Sequence, residues 1–206
     1  MALSLITPLA LVLVSEPRLQ VCTNKACRKA GALDTLALLQ SLASTAPLST
    51  APPASLSAAL LQQAAAQAAV APCGCLGKCG GGPNVLSSRS SEVFRDVFKP
   101  ITALALLQDE AGVEVPDVAA KACLAKMYAD RALRTNKPDE AVAYLTKALN
   151  EAGGLRSQGA YLLYQLLEQR ASVYDTLKAP KKAEADRTAA ERMLTLPHDY
   201  AVTVTA

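Results

Sequence analysis

The sequence predicts a small α/β unit followed by an all-α unit, and three observations carry that expectation. Short apolar runs, a leucine-striped segment and glycine-rich turns fill the first half. From Pro116 onward every segment has helical periodicity and no strand signal remains. A chain of 206 residues also suffices for two units of about 100 residues each. The expected units are residues 1–112 and 113–206.

Residues 1–14 are almost wholly apolar but lack a basic leader and a small-residue cleavage site, and the run is too short to span a bilayer. It reads as a buried segment leading into the first strand, with an organelle-targeting remnant or a membrane-surface contact as rival readings. Residues 18–22 alternate polar and apolar and stop at Thr23-Asn24, which predicts a strand running into a loop. Over 30–42, Leu33, Leu36, Leu38, Leu39 and Leu42 recur at helical spacing. Residues 44–67 form a biased Ala, Ser, Thr, Pro and Gln segment, and Pro47, Pro52 and Pro53 bar a helix from its first part, which reads as a flexible insertion. Its continuation at 55–70 has helix-forming composition. Further strands are expected at 69–71, 85–87 and 93–98, and Pro100 suits the first position of a helix reaching Gln108.

The second half predicts helices at 118–133, 140–151, 158–177 and 181–196, in two pairs related by one constant offset. Lys137-Pro138-Asp139-Glu140-Ala141 and Ala148 match Ala179-Pro180-Lys181-Lys182-Ala183 and Ala190, while Ala129 matches Ala171. The segment 136–149 resembles the turn and second helix of a tetratricopeptide repeat, whose period of about 34 residues is shorter than this offset. An extended loop at 152–158 would absorb the additional length. That resemblance implies a surface for a protein partner or a large complex, and it implies no chemistry.

Composition removes several function classes. With a net charge of +3, 19% charged residues and 4% aromatics, the chain offers neither the basic stripe nor the stacking residues of a nucleic-acid binder. His198 is the only histidine, so a catalytic triad has little to draw on. Gly80-Gly81-Gly82 is not followed by the Lys-Ser/Thr of a phosphate-binding loop. Asp109-Glu110 and Asp139-Glu140 read as a solvated helix end and a helix start. No catalytic residues are expected.

The six cysteines are too few for a disulfide scaffold, and most fall in two tight groups, which points to metal ligation in a reducing compartment. Cys22 and Cys27 are separated by four residues, and Cys75 and Cys79 by three, so each pair can reach one metal centre from its own loop. A [2Fe–2S] cluster takes four thiolates, two on each iron. Zn would take the same four, although its sites more often show Cys-x2-Cys spacing. Cys73 reads as a bystander thiol, Lys78 as a solvated loop residue and Cys123 as a small core residue.

Val21-Cys22-x4-Cys27 followed by Gly31-Ala32, then Cys75-Leu76-Gly77-x-Cys79 and Gly82-Pro83-Asn84-Val85, resembles the thioredoxin-like [2Fe–2S] ferredoxin family. The spacing is similar to that of the small ferredoxin-like subunit of respiratory complex I and its relatives. The resemblance covers about residues 18–110 and implies a [2Fe–2S] cluster, or Zn in its place, held by Cys22, Cys27, Cys75 and Cys79. It implies electron transfer or cluster binding as the activity. Two departures stand out: the inserted segment at 44–67 and the additional thiol Cys73. The fusion with tetratricopeptide-like repeats and the biased insertion point to a chloroplast stroma, with mitochondrion or cytosol as alternatives.

Overall fold

Three short apolar runs meet in one sheet. β1 (Leu19–Cys22) lies between β2 (Val70–Cys73) and β3 (Val85–Ser87), and β4 (Val93–Phe94) completes the order β2-β1-β3-β4. This is seen in a computed structural model, which describes residues 17–45, 69–153, 155 and 160–195. The apolar start, most of the biased segment with its helix, most of the 152–158 loop, and His198 lie outside the described residues.

β1 runs parallel to β2, with Leu19 opposite Val70 and Cys22 opposite Cys73, and antiparallel to β3, with Val21 opposite Val85. Paired on both sides, it buries Leu19, Val21 and Cys22 almost completely. β2 runs past the expected 69–71 and takes in Pro72 and Cys73. Proline is tolerated there because, among the described residues, β2 is at the edge of the sheet. β4 is shorter than the expected 93–98, since Asp96 has a φ of 56°, which an extended strand does not accept.

The loop expected after β1 contains a short helix, α1 (Lys25–Lys29), whose first N–H is capped by Asn24 Oδ1 at 2.6 Å. The leucine stripe forms α2 (Ala32–Ser44): Leu38, Leu39 and Leu42 are buried, but Leu33 is 52% exposed. α3 (Pro100–Ala111) starts on Pro100 as expected and ends at Gly112, whose φ of 65° suits a residue without a side chain. Its end is fastened to the sheet. Ser87 Oγ donates to Glu110 Oε2 at 2.6 Å, Arg89 donates to the Asp109 carbonyl at 2.7 Å, and Arg18 donates to the Ala111 carbonyl. Glu110, at the helix end and half-buried, is thus hydrogen-bonded as well as solvated, and the Ser87 hydroxyl holds its carboxyl below the usual range.

Four helices follow: α4 (Asp117–Arg134), α5 (Pro138–Ala152), α6 (Ala160–Thr176) and α7 (Pro180–Thr195). The predicted correspondence between the two helical pairs holds at the level of single hydrogen bonds. Asn136 and Lys178 both take positive φ, at 57° and 55°. Lys137 N–H donates to the Ala132 carbonyl as Ala179 N–H does to Tyr174, and Ala141 N–H to Lys137 as Ala183 does to Ala179. The matched alanines Ala129 and Ala171, Ala141 and Ala183, and Ala148 and Ala190 are all fully buried. A methyl group at each of these places lets the paired helices approach closely. α4 packs on α5, α5 on α6 and α6 on α7, and α2 packs against both α3 and α4, so one apolar core runs from Leu19 to Ala190. Among the described residues, no helix is long and apolar enough to cross a membrane.

One difference between the hairpins lies at a matched pair in contact. Tyr128 and Tyr144 stack with ring centroids 5.5 Å apart in the first, whereas the corresponding places in the second hold Arg170 and Asp186. That guanidinium donates two bonds of 2.7 Å to the carboxylate and a third, of 3.0 Å, to Thr146 Oγ1 on α5. Both residues are 6% exposed. Asp186→Ala leaves a buried cation unpaired, and its expected cost in urea denaturation is about 3–5 kcal/mol. Arg170→Met with Asp186→Leu removes both charges and should recover most of that loss; a double variant as unstable as the single one would contradict this account.

Candidate metal centre

Cys22 closes β1, and its neighbours fix it from both sides. Its N–H donates to the Asn84 carbonyl at 2.9 Å, while the next N–H, of Thr23, donates to the Cys73 carbonyl at 3.0 Å. Further along the chain, Cys27 sits in α1 and is 2% exposed, against 1% for Cys22. Cys75 and Cys79 are exposed on the loop after β2, with their sulfurs 3.7 Å apart. The structure thus brings the four cysteines to one end of the sheet as two pairs. Among the described residues, no group of three or more Cys, His, Asp or Glu side chains stands in an arrangement that could hold a metal ion.

The separation of the Cys75 and Cys79 sulfurs has a chemical meaning. Two thiolates on one tetrahedral metal, with metal–sulfur bonds near 2.3 Å, lie about 3.8 Å apart. In the other pair, burial pushes the Cys22 thiol up, but the amides of Asn24 and Leu76 and the Cys27 thiol outweigh it, and the pKa falls below its ordinary value. Cys27 is raised by burial and by donating to Cys22, despite the amide of Asn84. Cys79 is raised by its hydrogen bond with Cys75. Gly77 N–H approaches Cys75 Sγ at 3.4 Å. Of the four thiols, Cys22 is the one whose backbone amide neighbours outweigh burial and favour the thiolate.

Asn84 and Gly82 prove central, although spacing alone did not single them out. Asn84 is 1% exposed; besides its backbone contacts to Cys22 and Cys27, its Nδ2 donates to the Lys78 carbonyl at 2.7 Å, which anchors the Cys75–Cys79 loop. Its Oδ1 is buried with no hydrogen-bond partner among the described residues. Gly82 passes so close to Cys27 that a Cβ there would lie 2.9 Å from the sulfur. Both belong to the Gly82-Pro83-Asn84 run, whose placement beside the ligand loop was the available signal. Lys78 is exposed, as expected.

Cys73 stands beside the predicted ligands. Because β2 extends through it, Cys73 faces Cys22 in register. Burial raises its pKa, and Cys22, Cys27 and Cys75 add to that, so it lies within electrostatic reach of three of the four predicted ligands. Cys123 is buried in α4, remote from the site in the fold, with its pKa pushed up to about 12 by burial.

The sequence matches no protein-family model, and neither a curated protein nor a solved structure is detectably similar to it. The reading of this centre rests on the residues themselves.

Alkylation with iodoacetamide at about pH 8, read by mass spectrometry, should label Cys75 and Cys79 in the native protein but Cys22, Cys27 and Cys123 only after unfolding. Early labelling of Cys27 would contradict the packing described. Gly82→Ala should expose Cys27 to the reagent and lower stability by about 1–3 kcal/mol, since the added methyl has no room.

Proposed function

We propose that the chain is an iron–sulfur adaptor: a thioredoxin-like ferredoxin unit that binds one [2Fe–2S] cluster through Cys22, Cys27, Cys75 and Cys79, joined to tetratricopeptide-like hairpins that dock on a larger protein complex. The observation that carries this is the assembly of two thiol pairs, one buried and one exposed, at one end of a sheet with backbone amides directed at the sulfurs. A binuclear cluster needs two thiolates on each iron, which two pairs from two segments can supply. The order strand, helix, strand, cysteine loop, hairpin, helix supports the ferredoxin-like reading. The turn geometry shared by the two hairpins supports the repeat reading.

When bound, the cluster would supply one-electron transfer. The chain's own residues do the rest. Asn84 and Gly82 help fix the relative position of the two cysteine segments, and the amides of Asn24 and Leu76 favour thiolate at Cys22. Cys75 and Cys79 leave one edge of the site open to solvent, which suits exchange with a partner better than a sealed structural staple. A second reading draws on the exposed pair, whose 3.7 Å separation fits two thiolates on Zn equally well. A reducing compartment, such as a chloroplast stroma, is the proposed setting.

Anaerobic reconstitution with iron and sulfide should produce visible charge-transfer absorption. Single Cys→Ser changes at positions 22, 27, 75 and 79 should abolish or shift it, while Cys123→Ser leaves it intact. Stoichiometric zinc binding with no absorption would favour the second reading and sink the first.

A further inference from the structure

The α/β half and α4 line an open cleft of about 600 Å³ that begins at Arg28, the residue after Cys27. Its floor is apolar and well packed: Leu38 of α2, Val97, and Ala103 of α3 are at most 4% exposed. Thr35 also lies there, but its hydroxyl already donates to the Val97 carbonyl at 2.7 Å. Leu33 and Phe98, at 52% and 57% exposed, form apolar lips. The rim is cationic. Arg28 and Lys29 contribute from the end of α1, and Arg131 and Arg134 from the last turn of α4. Asp34 is the one carboxylate among the lining residues, and it pairs with Arg134.

Four exposed cations facing one carboxylate, around an apolar floor, make a surface whose charge calls for a negative partner. A small anion would need polar groups on the floor to orient it, and the Thr35 hydroxyl is already engaged. Nucleic acid would need stacking side chains spread along the surface, and aromatics are 4% of the chain. A protein segment that carries carboxylates on either side of an apolar residue satisfies both parts: the apolar side chain enters between Leu33 and Phe98, and the carboxylates meet the rim.

We infer that this cleft is the docking site for an acidic segment of a partner protein with an apolar anchor residue. The inference rests on the adaptor part of the reading above, not on the cluster. Position gives it a consequence. Arg28 and Lys29 follow Cys27 in the same helix, and Arg28 Nε donates to the Thr23 carbonyl at 2.6 Å, between Cys22 and Cys27. A segment seated in the cleft lies against the helix that carries the buried thiol Cys27.

The test uses fluorescence anisotropy with the full chain and a labelled synthetic peptide in which glutamates flank one phenylalanine. Its lysine-for-glutamate counterpart and a single-stranded oligonucleotide serve as the other probes. The acidic peptide should bind, and the combined Lys29→Glu and Arg131→Glu change should weaken it by roughly tenfold or more. Lys121→Glu, an exposed charge reversal on α4 that does not line the cleft, should leave binding unchanged. Raising the salt from about 50 mM to about 300 mM should also weaken the complex. Leu33→Ala tests the apolar anchor without altering charge and should lower affinity in its own right. Circular dichroism confirms that each variant is folded. Absorption of the reconstituted protein, recorded on the same samples, separates a failed cluster from a failed docking site. Acidic-peptide binding indifferent to the charge reversals, absence of peptide binding, or preference for the oligonucleotide would each overturn the inference.

Discussion

Asn84 ties the two cysteine segments to one another, beyond the β1–β2 ladder that already sets Cys22 opposite Cys73. Its carbonyl takes the Cys22 N–H at 2.9 Å, its amide faces the Cys27 sulfur, and its side chain holds the Lys78 carbonyl at 2.7 Å in the loop between Cys75 and Cys79. These contacts come from a residue that is 1% exposed and stands directly before β3. A buried residue held through both its backbone and its side chain has little freedom to move, which ties both cysteine segments to the sheet. Gly82 completes the arrangement by leaving room for the Cys27 sulfur that any larger residue would occupy.

The sheet is in turn held by its surroundings. β1 is buried because β2 and β3 pair with it on either side, and the carboxyl end of α3 is fastened to it through Ser87, Arg89 and Arg18. α2 then packs on α3 and α4, which joins the α/β half to the first hairpin, and Arg134 reaches across to Asp34. The helical half therefore does more than follow the α/β half in sequence. Its first helix, α4, forms one wall of the cleft beside α1.

Much of this was legible in the sequence where periodicity decides structure. β3 matches its expected range, and the helices of the second half start and end close to expectation, because proline and the alanine pattern mark their boundaries. The correspondence between the hairpins proved to extend to their turns. Other features needed the folded chain: the positive φ of Asp96 ends β4, the Asn24 cap is a local signal that the strand-to-loop reading passed over, and Cys73 faces Cys22 only through the pairing of strands distant in sequence. The exchange of a Tyr128–Tyr144 stack for the Arg170–Asp186 pair becomes meaningful only when the hairpins are compared in space. The cationic rim joins Arg28 and Lys29 to Arg131 and Arg134 only through the packing of α2 on α4.

The central claim is that the two thiol pairs serve one redox-active cluster. Electron paramagnetic resonance of the reconstituted, dithionite-reduced protein tests it most directly. The account predicts the signal of a reduced [2Fe–2S] cluster integrating to roughly one spin per chain. A silent spectrum from protein that holds stoichiometric zinc would contradict it.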